Sequence, residues 1–191
     1  MDVAAWRREM RNRMIDARVG ISPEEHQRAS QSIEDRLEEI LGFLPPQILS
    51  GYWPFKAEFD LRPLMQRLQF KGWVTALPAV VGRRQPLEFL KWTAGMAMDL
   101  GPYDIPVPRE RTVVRPDIVI APLVAFDRNN YRLGYGSGYF DITLAAMQPP
   151  PQTIGVGFQL SSLETIYPLT TDIPLNLVVT EAGVWRSEKT I

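Results

Sequence analysis

The chain has 191 residues, 45% hydrophobic and 23% charged, with a formal net charge of −1, which gives no electrostatic reason to expect a nucleic-acid partner. Zero cysteines and a single histidine exclude disulfides and thiolate chemistry and leave little room for a zinc site or a histidine triad. No apolar run approaches the roughly 18 residues of a membrane span and the N-terminal segment is charged, so we expect one cytoplasmic domain over residues 1–191.

Two helices are predicted at the N-terminal end. The second begins with Ser22 as its N-cap, has Pro23 in the first turn, and gains a capping box from Glu25. Its buried face consists of Ala29, Ile33, Leu37 and Leu41, and His26 is expected to face solvent. The first helix, over residues 3–18, carries its arginines apart from an apolar stripe formed by Val3, Trp6, Met10, Met14 and Ala17.

Short apolar runs alternate with helical patterns after the prolines at 45–46. A hairpin is predicted between residues 124–126 and 131–133, because "DRNN" is a typical turn. The alternation predicts an α/β fold with a mostly parallel sheet covered by helices on both faces. Strands are predicted at 48–53, 73–78, 87–92, 117–127, 153–158 and 176–181, and further helices at 61–70 and 139–147.

The segment "FDRNNYRLGYGSGYFD", residues 126–141, places three glycines at alternate positions between an arginine and an acid. Glycine amides at the start of a helix favour an anion, and a guanidinium suits phosphate. The acid is a candidate magnesium ligand, since Mg²⁺ prefers oxygen donors. The spacing matches neither the dinucleotide fingerprint nor the P-loop, so a tight strand-to-helix connection without a ligand remains an equal alternative.

A longer stretch around this loop, "PLVAFDRNNYRLGYGSGYFD", resembles the signature of 5-formyltetrahydrofolate cyclo-ligases, also called 5,10-methenyltetrahydrofolate synthetases. The segments "EFDL", "ALP", "IPVP", "DIVIAP" and "DIPLNLVVTEAGV" follow the order of that family along nearly the whole chain. The resemblance implies a fold like that of ribose-5-phosphate isomerase and CoA-transferase domains. It also implies a reaction in which Mg-ATP phosphorylates the formyl oxygen of 5-formyltetrahydrofolate, N10 attacks, and phosphate leaves to give 5,10-methenyltetrahydrofolate and ADP.

The same resemblance implies roles for individual residues. Arg7 corresponds to an arginine near the nucleotide phosphates, Glu58 to a glutamate that binds the pterin ring, and Tyr103 to an aromatic bordering the folate. Asp141 and Asp172 correspond to the acids near Mg²⁺. ATP and the formyl end of the folate are contacted by the loop residues Arg132, Leu133, Gly134, Tyr135, Gly136, Ser137, Gly138 and Tyr139, of which Arg132 and Tyr139 are the expected catalytic pair.

Several of these residues also have simpler interpretations. The arginines of the first helix could form a solvated face. Glu58 and Asp60 could both cap the helix that follows them; we expect Asp60 to do so and Glu58 to contact the ligand. Asp172 could be a turn residue alone.

The sequence departs from the family pattern at positions that are usually polar or glycine. A lysine on the first helix is Val3 here, and Arg8 or Arg11 could replace its charge. The other departures are Asn130, Ser137, Phe140, Ile142 and Thr171. They leave open an alternative function, a weakened or retuned paralogue that binds folate or nucleotide for regulation or storage, and a further one, an RNA- or protein-binding module. The oligomeric state, monomer or dimer, also stays open.

Overall fold

The computed structural model describes residues 1–186. Its helices are α1 Val3–Val19, α2 Pro23–Gly42, α3 Arg62–Phe70 and α4 Tyr139–Ala146. Its strands are β1 Ile48–Ser50, β2 Val74–Ala79, β3 Glu88–Lys91, β4 Met98–Leu100, β5 Pro106–Pro108, β6 Ile118–Pro122, β7 Ala125–Asp127, β8 Arg132–Leu133, β9 Gln152–Val156, β10 Ser162–Leu163, β11 Leu177–Thr180 and β12 Gly183–Arg186. Within residues 1–186, none of the helices combines the length and hydrophobicity that a membrane crossing requires.

The main sheet has seven strands in the order β12-β11-β9-β6-β1-β2-β3. The five central strands are parallel to one another, and the edge strands β3 and β12 are antiparallel to them. The predicted α/β class with a mostly parallel sheet is therefore confirmed. Each predicted strand of the main sheet exists, although the first is shorter than expected because residues 51–53 leave the sheet.

Both faces of this sheet are buried, as a parallel sheet requires. On one face, Ile118 and Ile120 pack with the apolar sides of α2 and α3. On the other face, Val119 and Val178 pack with Leu144 of α4. Neighbouring residues of β6 thus point into different clusters, because side chains alternate along a strand.

The start of α2 follows the prediction from sequence. The Ser22 hydroxyl accepts a hydrogen bond from the Glu25 backbone N–H, and Ile33, Leu37 and Leu41 are buried. Each of these three buried residues is an expected member of the inward face, which fixes α2 against the sheet.

Two expectations for the N-terminal helices are wrong. The buried residues of α1 are Arg7, Met14 and Arg18, whereas Ala17 is exposed. His26 is half-buried rather than facing solvent, because its ring packs on Phe158 and its Nε2 lies 3.0 Å from a backbone oxygen. The inward face of α1 therefore includes arginines that the hydrophobic pattern assigned to the outside.

The predicted hairpin of β7 and β8 is confirmed, and it explains why Asn130 stands at a glycine position. Asn130 has φ +60°, the left-handed region that asparagine tolerates better than most residues. Its backbone N–H donates to the Asp127 carbonyl, while the Asp127 carboxylate accepts from the N–H groups of Asn129 and Tyr131. This turn places Arg132 two residues before the first glycine of the segment 134–138, which we call the glycine loop.

Candidate active site

A cavity of about 660 Å³ opens at the carboxyl ends of the central strands. It lies where the chain order changes direction: β2 is on one side of β1 and β6 is on the other. Such a switch point is the usual ligand crevice of an open α/β sheet. Residues that follow the three strands line it, including Tyr52 and Glu58 after β1, Val80 after β2 and Pro122 at the end of β6.

The glycine loop forms one wall of this cavity. Gly136 and Gly138 have φ +109° and +69°, conformations that residues with a Cβ rarely adopt. Gly138 is also the N-cap of α4, and no side chain caps that helix. The N–H groups of its first turn therefore border the cavity as donors for an anion.

Arg132 lies beneath the loop and is only 5% exposed. Its Nη2 donates to an Asp141 carboxylate oxygen at 3.0 Å, and its guanidinium stacks 4.8 Å from the Phe140 ring centre. Its Nε has no hydrogen-bond partner. Burial lowers the pKa of Arg132, with Asp141 and Asp172 acting in the opposite direction. A buried guanidinium with an unused donor is suited to an anionic ligand.

Two arginines of α1 reach the same wall. Arg7 forms a two-point contact with the Asp172 carboxylate, at 2.6 and 3.2 Å. Arg11, one turn later, donates from Nε to the Gly134 carbonyl at 2.8 Å. Burial and the neighbouring charge of Arg7 lower the pKa of Arg11. The helix therefore presents two cations to this end of the cavity, and Arg11 is the one bonded to the glycine loop.

This end of the cavity carries excess positive charge. Three guanidiniums face two carboxylates, and all five side chains belong to the cavity lining. Each of the two carboxylates also accepts a hydrogen bond from a backbone N–H group. Asp141 accepts from Ile173, and Asp172 accepts from Leu169. The pairs hold both acids in fixed orientations towards the cavity.

Glu58 lies at another side of the cavity and is 7% exposed. One carboxylate oxygen accepts from the Tyr135 hydroxyl at 2.7 Å, and the other accepts from the Phe55 N–H at 2.9 Å. Burial raises the pKa of Glu58, while Arg18, Tyr135 and Phe55 act in the opposite direction. Asp60 instead bonds the N–H of Arg62 at the start of α3, as expected for a cap.

The rim of the cavity is aromatic. Tyr103, between β4 and β5, is 61% exposed and lies edge-on to Tyr139, with ring centres 6.4 Å apart. Tyr103 and Asp104 have φ +63° and +58°, so this turn is held in an unfavourable backbone conformation. The hairpin of β4 and β5 had no clear pattern in the sequence.

The cavity unites all but one of the site residues expected from the family resemblance. Leu133 is buried with Met14 and Val124 under the loop, so its side chain does not reach the cavity. The lining residues among those expected are Arg7, Glu58, Tyr103, Arg132, Gly134, Tyr135, Gly136, Ser137, Gly138, Tyr139, Asp141 and Asp172.

Arg18 was not expected near this site, yet it contacts the network around Glu58. Nothing in the sequence indicated this role, because an arginine at the end of an arginine-rich helix is usually a solvent-exposed charge. Trp53 and Phe55 also line the cavity, and only their position after β1 could have indicated it. Among the departures from the family pattern, Thr171 lines the cavity beside Asp172, whereas Arg8 is exposed.

Comparison with known proteins gives a consistent family. The model of the "5-formyltetrahydrofolate cyclo-ligase family" matches residues 3–181. The 5-formyltetrahydrofolate cyclo-ligase of Escherichia coli K12 is 30% identical over 179 residues, which cover 88% of this chain and 97% of that protein. The Haemophilus influenzae enzyme is 26% identical, covering 88% and 94%. The solved Aquifex aeolicus 5,10-methenyltetrahydrofolate synthetase has a TM-score of 0.82 at 28% identity, covering 97% and 94%.

Proposed function

Because the chain belongs to the 5-formyltetrahydrofolate cyclo-ligase family, we propose that it converts 5-formyltetrahydrofolate to 5,10-methenyltetrahydrofolate with ATP and Mg²⁺, releasing ADP and phosphate. One observation carries the proposal. A single cavity has the glycine loop and three arginines on one side and a buried glutamate on another. These two features suit a triphosphate and a pterin that must meet. We propose that the whole chain acts as one domain, since both faces of its sheet are covered.

The arginine-rich end is the proposed phosphate site. Arg7 and Arg132 would contact phosphate oxygens, joined by the backbone N–H groups of the loop and of the first turn of α4. Guanidiniums bind phosphate with two parallel donors, and a helix start adds a favourable field. The Nε of Arg132 is a buried donor without a hydrogen-bond partner, which an oxygen of a bound phosphate would satisfy.

The acids of this end fit Mg²⁺ that is shared with phosphate. Among residues 1–186, no group of three or more acidic or histidine side chains could form a cage for a metal ion. Mg²⁺ is commonly held by one or two carboxylates plus substrate phosphates, keeping several waters. Asp141 and Asp172 would supply those carboxylates, because both oxygens of Asp141 and the Oδ1 of Asp172 each accept a single hydrogen bond and keep a free lone pair. The ion would neutralise charge on the phosphates.

Glu58 is the proposed recognition group for the folate. A pterin presents adjacent N–H donors, and an ionised carboxylate accepts two of them in parallel. The ring would lie against the aromatic wall formed by Tyr52, Trp53 and Phe55, and Tyr103 would border the part that leaves the cavity. The formyl group would then face the glycine loop.

In the proposed reaction, negative charge develops near the buried guanidinium of Arg132. As the formyl oxygen attacks the terminal phosphoryl group, negative charge shifts towards the leaving ADP. Arg132 is fixed by Asp141 and Phe140 before reaction, so it stabilises that charge without reorganising. Tyr139, at the start of α4, borders the loop and the rim, where it would shield the reacting atoms from water. N10 then closes the ring and phosphate leaves.

Arg11, rather than Arg8, is the proposed replacement for the lysine that the family carries at Val3. Arg11→Ala is expected to raise KM for ATP by about tenfold to a hundredfold, the loss of one charge-assisted contact. KM for 5-formyltetrahydrofolate should change little. Steady-state kinetics with each substrate varied measure both. Arg8→Ala is the matched control from the exposed side of α1 and should match wild type; equal effects of the two substitutions would contradict the assignment.

The activity is tested directly by mixing the purified protein with 5-formyltetrahydrofolate and Mg-ATP. We expect the absorbance of the methenyl product to appear with one ADP for each product, and to be lost when Mg²⁺ is chelated. Folded protein that gives no product would contradict the proposal. Thermal shifts with ATP and folate separately would then show whether it binds them without turnover.

A further inference from the structure

Arg18, in the last turn of α1, is only 4% exposed although it does not line the cavity. Its Nε donates to the Lys56 carbonyl at 2.9 Å and its Nη1 to the Leu123 carbonyl at 3.1 Å. Its Nη2 donates to the Tyr135 hydroxyl at 2.7 Å. One guanidinium thus joins the loop after β1, the end of β6 and the glycine loop.

The Tyr135 hydroxyl connects Arg18 to Glu58. It accepts from Arg18 and donates to the same Glu58 oxygen that lies 3.7 Å from Arg18 Nη2. A tyrosine hydroxyl has one proton, so accepting from the arginine directs that proton to the carboxylate. The order guanidinium, hydroxyl, carboxylate therefore fixes which oxygen of Glu58 is occupied and which way the group points.

Charge around Glu58 depends on the same arginine. Burial alone would favour the neutral, protonated form of Glu58. In that form one oxygen carries the proton, so only the other oxygen is free to accept hydrogen bonds. Arg18 is the cation whose charge opposes that effect. The other titratable groups near it are Tyr135 and Tyr52, whose raised pKa values, caused mainly by burial, keep them neutral, and Asp60 on the same segment.

We propose that Arg18 is a positioning residue for folate recognition, which holds Glu58 oriented and ionised, partly through Tyr135, and so sets the affinity for the pterin without touching it. This inference rests on the proposed function. A merely structural role for Arg18 would give a different result. Loss of the contacts that join these three segments would weaken the binding of folate and of nucleotide alike, and would leave the charge of Glu58 unaltered.

Arg18→Met tests the proposal, because methionine keeps length and volume but removes charge and donors. Without the cation the pKa of Glu58 rises, so more of the carboxyl is protonated at neutral pH. The Kd for 5-formyltetrahydrofolate should rise at least about tenfold at pH 7 and recover as pH increases. The Kd for ATP should stay within about twofold. Arg13→Met is the matched control, exposed on the same helix.

A second readout needs no ligand. Carbon NMR of labelled glutamate side chains gives the Glu58 pKa directly; we expect that pKa to rise in Arg18→Met and to rise less in Arg18→Lys, which keeps the positive charge. In a Glu58→Gln background, Arg18→Met should add little to the loss of folate affinity. Should Arg18→Met fail to fold, Tyr135→Phe and Arg18→Lys carry the same titration.

An unchanged Glu58 pKa, equal losses for folate and ATP, or additive effects with Glu58→Gln would overturn the proposal. Its failure is separable from failure of the proposed function. If wild type binds no 5-formyltetrahydrofolate, the function is wrong, and the carboxyl titration still decides whether Arg18 controls the charge of Glu58.

Discussion

Arg132→Ala will lower kcat/KM for ATP by about a thousandfold, the largest effect expected of a single substitution in this chain. The guanidinium is buried, fixed by Asp141 and Phe140, and its Nε has no hydrogen-bond partner. Alanine removes that charge from the place where the phosphoryl group transfers. Most of the loss should appear in kcat, because the contact strengthens as charge develops. Steady-state and single-turnover kinetics separate the effect on kcat from the effect on KM.

The control for this variant is Arg62→Ala. Arg62 also stacks on an aromatic ring, 4.3 Å from the Trp53 centre, and pairs with an aspartate, Asp60, at 2.8 Å. It does not line the cavity, so its kcat/KM for ATP should stay within about twofold of wild type. Circular dichroism checks that Arg132→Ala is folded, since Asp141 loses its ion-pair partner. A folded Arg132→Ala protein with normal ATP kinetics would remove this residue from the phosphate site.

Glu58→Gln should have the second largest effect, a rise in KM for 5-formyltetrahydrofolate of about a hundredfold. Glutamine keeps the shape but presents an N–H₂ group where a carboxylate oxygen accepted a donor. The loss of charge-assisted hydrogen bonds, about 1.5–3 kcal/mol each, accounts for that size. KM for ATP should change little, because Glu58 lies apart from the phosphate end. Substrate titrations at saturating ATP measure it.

Asp60→Asn is the matched control, two residues away on the same segment. Asp60 caps α3 and bonds Arg62, and asparagine is an equally good cap. Folate kinetics should therefore be unchanged. A Glu58→Gln protein that retains normal folate KM, or an Asp60→Asn protein that loses it, would contradict the assignment of the two acids.

Much of the fold followed from local patterns. The cap at Ser22, the buried face of α2 and the alternation of strands and helices each have a local physical cause, and the structure confirms them. The hairpin of β4 and β5 did not, because its strands are three residues each and its turn uses strained residues at Tyr103 and Asp104. Such a turn depends on what it packs against.

The site residues were predicted from the family resemblance, and Arg18 was missed for a physical reason. The glycine loop and its arginine are consecutive in sequence, so a motif can carry them. Arg18 and Glu58 are 40 residues apart and meet only because α1 crosses the ends of β1 and β6. Which arginines of α1 are buried is decided by that crossing. The hydrophobic pattern of the helix correctly included the buried Met14 but assigned the arginines to the outside.

The transfer of the formyl oxygen to phosphate can be followed with an isotope label. Supply the protein with Mg-ATP and 5-formyltetrahydrofolate labelled with ¹⁸O in the formyl group, and analyse the released phosphate by mass spectrometry. If the triphosphate and the formyl oxygen meet in the one cavity, each phosphate released carries the label. Methenyltetrahydrofolate formed together with unlabelled phosphate would contradict it.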